Sequence, residues 1–166
     1  MHSHLFRPAL TLGILATLVS LTGCEQPRPS STSASESGLI FSKGQPAPAA
    51  NFTGQAWVQR LVDKDDKYAC GAGSVQFAPG ARSNWHQHPA GQILLVVEGT
   101  GHYQEKGKPL RVLRKGDVIK APAGVEHWHG AAPTSSMTHV AINPDLTAVP
   151  VVWGPPVTDT EYQGKP

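Results

Sequence analysis

Short apolar or alternating runs, separated by turn residues, make up the chain from Gly38 onward. Alternation with a period of two is typical of strands that have one face buried. The predicted strands are Ala56–Val62, Gly73–Phe77, Gln92–Val97, Gly101–Gln104, Leu110–Leu113, Val118–Ala121, Ser136–Ile142 and Ala148–Trp153. Turn signals such as Pro79-Gly80, Glu98-Gly99 and Lys115-Gly116-Asp117 lie between them. Many short strands at close spacing predict an all-β sandwich or barrel.

The helical pattern is weak throughout, because no stretch keeps an apolar period of 3.6 residues. Only Thr158–Gln163 is expected to form a helical turn. The 166 residues include 17 Gly and 15 Pro, which favours turns and short strands over long helices. This length allows one domain with a real core, and we assign it to residues 38–155, followed by a C-terminal tail at 156–166.

The N-terminus has the pattern of a targeting segment. Arg7 precedes an apolar run from Leu10 to Leu21, which is too short to form a stable membrane-spanning helix. Leu21-Thr22-Gly23-Cys24 resembles the lipobox of bacterial lipoproteins. That resemblance implies that residues 1–23 are a signal peptide, that Cys24 carries lipid, and that the protein is exported and anchored to the cell envelope, facing the periplasm. The alternative is a plain signal peptide with a chance cysteine.

The segment that follows, residues 24–37, is a polar Ser/Pro tether with little to pack. Cys24 and Cys70 are the only cysteines, so a lipidated Cys24 leaves no disulfide framework, and Cys70 is expected to be a small apolar strand residue. The net charge is +2, and it becomes +1 when residues 1–23 with their single Arg are removed. Since no Lys/Arg cluster is present, nucleic-acid binding is not expected.

The histidines carry the candidate chemistry. His86 with His88, and His127 with His129, are pairs two residues apart, and on a strand such pairs point to the same side. Imidazole is the commonest protein ligand for mid-row divalent metals. Two pairs brought together by a sheet, with His139 as a further candidate, would supply three ligands and free histidines. A single His-x-His pair is often a surface coincidence, but two are harder to dismiss.

Two segments resemble the two cupin motifs. The first comprises Gly80, His86, His88, Gln92 and Gly99, and the second comprises Gly116, Pro122, Gly124 and His127, each at the motif's own spacing. The resemblance covers about residues 38–155. It implies a single-domain cupin, an all-β double-stranded β-helix or jelly-roll barrel. It also implies one metal ion held by His86, His88, Gln92 and His127.

Two positions depart from the cupin pattern. Gln92 stands where the first motif usually has glutamate, and Ala131 stands where the second usually has asparagine. If Gln92 binds through its carbonyl oxygen, all protein ligands are neutral, so the ion is a stronger Lewis acid and holds anions more readily. The alternative is that Gln92 lies behind the ligands and orients a water.

A closer resemblance is to the manganese cupins that include the bacterial hydroxynitrile lyases. It rests on Trp85–Gln92, His127–Thr134 and Met137-Thr138-His139. It implies Mn²⁺ (with Fe²⁺, Zn²⁺, Ni²⁺ and Co²⁺ as alternatives), a small-molecule substrate, and catalytic roles for His129 and His139, either of which could be the base. His139 could instead be a buried structural histidine.

Aromatic residues near these motifs are candidates for the substrate pocket. Trp85, Trp128 and Phe77 would suit an apolar wall, although simple core packing is the better interpretation of any one of them. Arg82 would line the entrance or remain a solvated charge.

Three functions compete at this stage. A metal-dependent lyase of the hydroxynitrile type is favoured. A metal-dependent dioxygenase is weakened because Gln92 cannot take a proton at neutral pH. A non-catalytic module that binds a small ligand or metal is the third. Cupins often form homo-oligomers, dimers or tetramers, and barrel edges near Ile40 and Val151 could serve that purpose.

Overall fold

The computed structural model describes residues 40–63, 68–144 and 150–164, and these residues confirm the predicted all-β fold. The strands are β1 (Gln45–Pro46), β2 (Phe52–Thr53), β3 (Ala56–Val62), β4 (Cys70–Phe77), β5 (Arg82–Ser83), β6 (His86–Gln87), β7 (Gln92–Glu105), β8 (Arg111–Arg114), β9 (Val118–Ala121), β10 (His127–Ala131), β11 (Met137–Pro144) and β12 (Val152–Trp153). One four-residue helix, α1 (Asp159–Tyr162), follows them.

Strand β7 organises the curled antiparallel sheet, whose main path runs β1-β3-β4-β11-β7-β10-β5-β2. The first part of β7 pairs with β11 and β9, and the second part pairs with β10 and β8. Gly99 lies where the partners change, with φ of 76°, and a Cβ there would come within 1.9 Å of the Ser136 carbonyl oxygen. The predicted turn at Glu98-Gly99 is therefore wrong: glycine lets one strand bend between the two halves of the sheet.

The hydrophobic core lies inside the curled sheet. Phe77, Leu94, Leu113 and Met137 are fully buried there, and each comes from a different strand. Burial of one such side chain stabilises the fold by roughly 1.5–3 kcal/mol relative to leaving it exposed. Because side chains alternate along each strand, the same inward face also carries the histidines of the site.

Most predicted strands are confirmed, with small shifts at their ends. Strands β3 and β9 have the predicted bounds, Ala56–Val62 and Val118–Ala121. The two strands predicted at Gln92–Val97 and Gly101–Gln104 are parts of the single strand β7. The strands that the pattern did not predict are short or histidine-rich: β1, β2, β5, β6 and β10. Cys70 is a half-buried free thiol at the start of β4, as expected.

The C-terminal segment packs against β5, β6 and β10. Thr158 caps α1 in a reciprocal capping box with Glu161, which confirms the predicted helical turn. The Tyr162 hydroxyl donates to the Ala131 carbonyl at 2.7 Å. Ala131, the departure from the second motif, is thus a buried packing position.

Arg82 neither lines an entrance nor remains a solvated charge, so both expectations for it are wrong. Its side chain is buried, and its guanidinium donates to the Val157 carbonyl oxygen at 3.0 Å and to Asp159 at 2.7 Å. The same group lies over the Tyr162 ring, 4.5 Å from its centroid. Arg82 therefore fastens the C-terminal segment to the strands that carry the site.

The predicted signal peptide, Cys24 and the tether lie outside the described residues. Within the described ranges, none of the helical structure has the length and apolar character needed to cross a membrane.

Candidate metal centre

Neighbouring strands place the histidine pairs face to face. On β10, His127 lies directly opposite His86 of β6, and His129 lies opposite Tyr103 of β7. Gly130 lets β5 approach β10 closely, because a Cβ there would come within 2.4 Å of the Ala81 carbonyl oxygen. The sheet itself therefore brings the two pairs together, as their spacing predicted.

Imidazole rings form a compact buried group. Ring nitrogens of His86, His127 and His129 all lie within 4.8 Å of one another, a spacing that could hold a metal ion. The ring centroids of His86 and His127 are 4.4 Å apart. His88 lies beside them, with its ring centroid 5.3 Å from that of His86 and 5.8 Å from that of His127. Three imidazoles thus surround one position, and the His88 ring lies beside them.

Backbone carbonyls fix the tautomers of two of these rings. The Nδ1 atom of His86 donates to the Asn84 carbonyl oxygen at 2.9 Å, and Nδ1 of His127 donates to the Val125 carbonyl oxygen at 2.9 Å. A carbonyl oxygen only accepts, so each Nδ1 carries the proton and each Nε2 keeps a free lone pair. Such orientation of a ligand ring by its second nitrogen is usual in metal sites.

Gln92 belongs to the same group. Its Oε1 lies 3.2 Å from Nε2 of His127, and its Nε2 donates to Oδ1 of Asn143 at 3.1 Å. The bond to Asn143 assigns the amide nitrogen to the side away from the histidines, so the carbonyl oxygen faces them. Gln92 is therefore oriented with its carbonyl oxygen available to a metal ion. Asn143, the residue that orients it, was not singled out by the sequence pattern.

His139 lies behind His129. Its Nε2 is 3.1 Å from Nδ1 of His129, and both rings are almost wholly buried. Phe77 borders the two rings, with centroid distances of 5.8 Å and 5.7 Å. The structure thus brings both predicted catalytic histidines next to the metal group, in contact with each other.

Burial keeps these histidines neutral. It lowers the pKa of His86 to about 3, with a further contribution from His127, and lowers the pKa of His88 to about 4. Burial likewise lowers the pKa of His139 to about 3 and holds the pKa of His129 well below its usual 6.5. The pKa of His127 is also lowered by burial. At neutral pH every ring is an uncharged donor, which is the form that binds metal.

The compact group of ligand atoms contains no carboxylate among the described residues. Glu105, which lies opposite His127 in the sheet, instead accepts a hydrogen bond from the Tyr103 hydroxyl and pairs with Lys108. The Tyr103 ring packs against His127 at a centroid distance of 5.5 Å. The donor set fits a divalent cation of mid-row type, which imidazole and amide oxygen both suit.

The aromatic surroundings differ from the expectation in part. Trp85 and Trp128 pack with Val157 and Tyr162 in a separate hydrophobic cluster. The interpretation of these two residues as core packing is therefore confirmed, and their assignment to a pocket wall is wrong. Phe77 does border the histidines, and Trp153 packs against His86 at 4.9 Å. Trp153 lies 67 residues along the chain from His86, and no sequence motif connects the two.

Comparisons with known proteins agree with this architecture. The Cupin domain family matches residues 73–143. An (R)-mandelonitrile lyase of Granulicella tundricola is 43% identical over 116 residues, which cover 70% of this chain and 88% of that protein.

Solved structures give the same result. A cupin-like protein of Thermotoga maritima has 44% identity and a TM-score of 0.73, covering 76% of this chain and 96% of its own. A cupin 2 conserved barrel protein of Rhodopseudomonas palustris has 18% identity and a TM-score of 0.57, covering 69% and 77%, and supports the fold alone. The motifs, the curled sheet and these relatives lead to one conclusion: the chain belongs to the cupin superfamily.

Proposed function

We propose that this cupin is a metal-dependent lyase that cleaves or forms α-hydroxynitriles. The observation that carries the proposal is the donor set, in which neutral imidazoles and the oxygen of Gln92 meet in a buried site that holds no carboxylate from the described part of the chain. A relative with 43% identity is named as an (R)-mandelonitrile lyase, which supports the same chemistry.

The proposed ligands are His86, His88, Gln92 and His127. Two of these rings present Nε2 with a free lone pair, and Gln92 presents Oε1. His129 is within reach of an ion as well, but His88, and not His129, occupies a ligand position of the cupin motifs. We therefore assign His129 to proton transfer and His88 to the metal.

A bound divalent ion would supply positive charge that makes a substrate hydroxyl more acidic and stabilises departing cyanide. His129 is the proposed base: its Nε2 takes the hydroxyl proton as the carbonyl forms and the C–C bond to the nitrile carbon breaks. The electron pair of that bond leaves with cyanide, which takes the proton from His129 to give hydrogen cyanide and restores the neutral base. His139 holds the His129 ring in position and, through the hydrogen bond to Nδ1, keeps Nε2 available.

The experiment is release of benzaldehyde from mandelonitrile by the full-length protein, loaded with Mn²⁺ and followed by ultraviolet absorption. We expect activity that is lost in His86→Ala and in a chelator-treated sample. No release by a sample shown to contain stoichiometric metal would exclude the lyase. Oxygen uptake with catechols or flavonols would instead support a dioxygenase, and tight ligand binding without turnover would support a non-catalytic module.

Manganese is the proposed metal, and the resemblance to manganese cupins is its only support. Affinity does not select it, because Mn²⁺ is the weakest binder of the divalent first-row series. Elemental analysis of protein purified without added metal tests this proposal. Zinc, iron, nickel or cobalt at one equivalent, with reconstitution by Mn²⁺ giving no activity, would contradict it.

We also propose that the protein is exported and held on the cell envelope, facing the periplasm, by lipid on Cys24. The apolar run that ends at Leu21-Thr22-Gly23-Cys24 supports this. Labelled palmitate should enter the protein in a bacterial host, and Cys24→Ser should abolish the label and release the protein from the membrane fraction. A homo-oligomer remains a prediction, which light scattering of the purified protein would test.

A further inference from the structure

A cavity of about 250 Å³ opens at one end of the curled sheet. Its lining includes Val58 and Arg60 of β3, Gly71 and Gly73 of β4, and Asn143 of β11. The two glycines leave space where other strand residues would place side chains. Asn143 also accepts the hydrogen bond from Gln92, so the cavity shares a wall with the proposed metal centre.

Strand register places this cavity on the inward face. Arg60 pairs with Gly73, which pairs with Ala141, and Ala141 pairs with the fully buried Leu94. On β11, Asn143 lies two residues after Ala141, and His139 lies two residues before it. The side chains of all three therefore point to the same side of the sheet. A molecule in the cavity would therefore lie along the row of side chains that leads to the histidines.

Arg60 is the charged residue in the cavity lining. Its guanidinium reaches into solvent at the rim, where it donates to Asp63 at 2.7 Å. Both side chains are largely exposed, at 75% and 70%. An exposed ion pair of this kind is weak, so a ligand carboxylate can replace Asp63 without a large cost. Arginine suits that exchange because its planar fork binds a carboxylate through two hydrogen bonds.

We propose that Arg60 selects substrates that carry a carboxylate on the side remote from the reacting carbon. This inference rests on the proposed lyase function, and it identifies the substrate class as anionic α-hydroxynitriles or the matching carboxylated aldehydes. The reacting carbon lies toward His129, and the carboxylate lies at the rim. Asp63 acts against this selection, since it competes for the same guanidinium.

The test compares 4-carboxymandelonitrile with uncharged mandelonitrile in the full-length, metal-loaded protein. The readout is the ratio of the two kcat/KM values. Arg60→Gln should lower that ratio about two- to fivefold, which is the loss expected for one solvent-exposed ion pair. Asp63→Asn should raise the ratio, and Arg114→Gln, an exposed arginine at the β8–β9 turn, should leave it unchanged. Added salt should reduce the wild-type ratio.

A binding measurement separates this inference from the proposed function. Calorimetry of 4-carboxybenzaldehyde and benzaldehyde with the same proteins reports on Arg60 even if no substrate is cleaved. Preferential binding of the carboxylate, lost in Arg60→Gln and strengthened in Asp63→Asn, supports the inference whatever the lyase assay gives. An equal preference in wild type, Arg60→Gln and Arg114→Gln, in either assay, overturns it.

Discussion

Nε2 of His139 lies 3.1 Å from Nδ1 of His129, so a single proton is shared between two buried neutral rings. If His129 supplies that proton, its Nε2 is bare and can act as a base. If His139 supplies it, Nε2 of His129 carries the proton and can only donate. Nδ1 of His139 has no hydrogen-bond partner among the described residues. In the first arrangement that atom carries the proton of His139, so this arrangement leaves one buried N–H unpaired. The proposed mechanism requires the first.

Replacement of His139 tests this relationship. His139→Phe removes the acceptor and should lower kcat by roughly ten- to a hundredfold, the usual effect of losing a partner that orients a functional histidine. His139→Gln keeps an oxygen acceptor near Nδ1 of His129 and should recover part of the loss. Steady-state kinetics over pH 5–8, with metal content measured in each variant, provides the check. Equal activities of the Phe and Gln variants would show that the hydrogen bond has no role.

Metal content distinguishes His88 from His129. We expect His88→Ala to lose the ion at low micromolar free metal, as should His86→Ala, because each removes a ligand atom. His129→Ala should retain close to one equivalent while its kcat falls by about 10²-fold or more, the range for loss of a general base. Inductively coupled plasma analysis of dialysed protein measures this. The reverse result would make His129 the third imidazole ligand and His88 the free one.

Gln92→Glu introduces the carboxylate that the first motif usually carries. The added negative charge should tighten metal binding at least about tenfold, since two unit charges 4 Å apart interact by about 4 kcal/mol at an effective dielectric constant of about 20. The same charge should lower lyase activity by offsetting the cation's attraction for cyanide. Competition with a chromogenic chelator gives the affinity.

Asn143→Ala is the matched control for Gln92→Glu. It removes the hydrogen-bond partner of the Gln92 amide without adding charge. Tighter metal binding in Asn143→Ala as well would mean that loss of the Gln92 to Asn143 hydrogen bond, and not charge, governs affinity.

Local patterning predicted the parts of the fold that depend on local signals. Alternation defined β3 and β9 at their observed ends, and a helical turn was expected at Thr158–Gln163, where α1 lies. The short strands β5 and β6 were not predicted, because two residues are too few to establish a hydrophobic period. Gly99 was misread because a glycine between two apolar runs has the same signature in a turn as at a bend within one strand.

The site was predictable where spacing alone determines geometry. His86 and His88, or His127 and His129, point the same way on any strand, so their grouping follows once the strands are neighbours. The contact of Trp153 with His86 and the burial of Arg82 against Val157 depend on how the C-terminal segment returns to the sheet. Such long-range packing has no local signal, which is why the burial of Arg82 was not predicted.

Stability of the metal-free protein should depend on pH in a direction set by the buried histidines. Their pKa in the unfolded chain is 6.5, and burial lowers it to about 3 for His86 and His139 and about 4 for His88. Between those values the unfolded chain binds more protons than the native protein, so the free energy of unfolding falls as the pH is lowered below 6.5. Each such histidine contributes up to about 1.4 kcal/mol per pH unit in this window.

Urea unfolding of chelator-treated protein between pH 6.5 and 5.5 measures this slope. The pKa values of Glu105 and Glu161 are held below 4.5, for Glu105 first by its hydrogen bond to Lys108, so titration of these two carboxylates contributes little in that range. His139→Phe should reduce the slope by the share of one histidine, because phenylalanine fills a similar volume beside Phe77 and takes no proton. A free energy of unfolding that is constant or rises as pH falls through this window would contradict the burial of neutral imidazoles at the site.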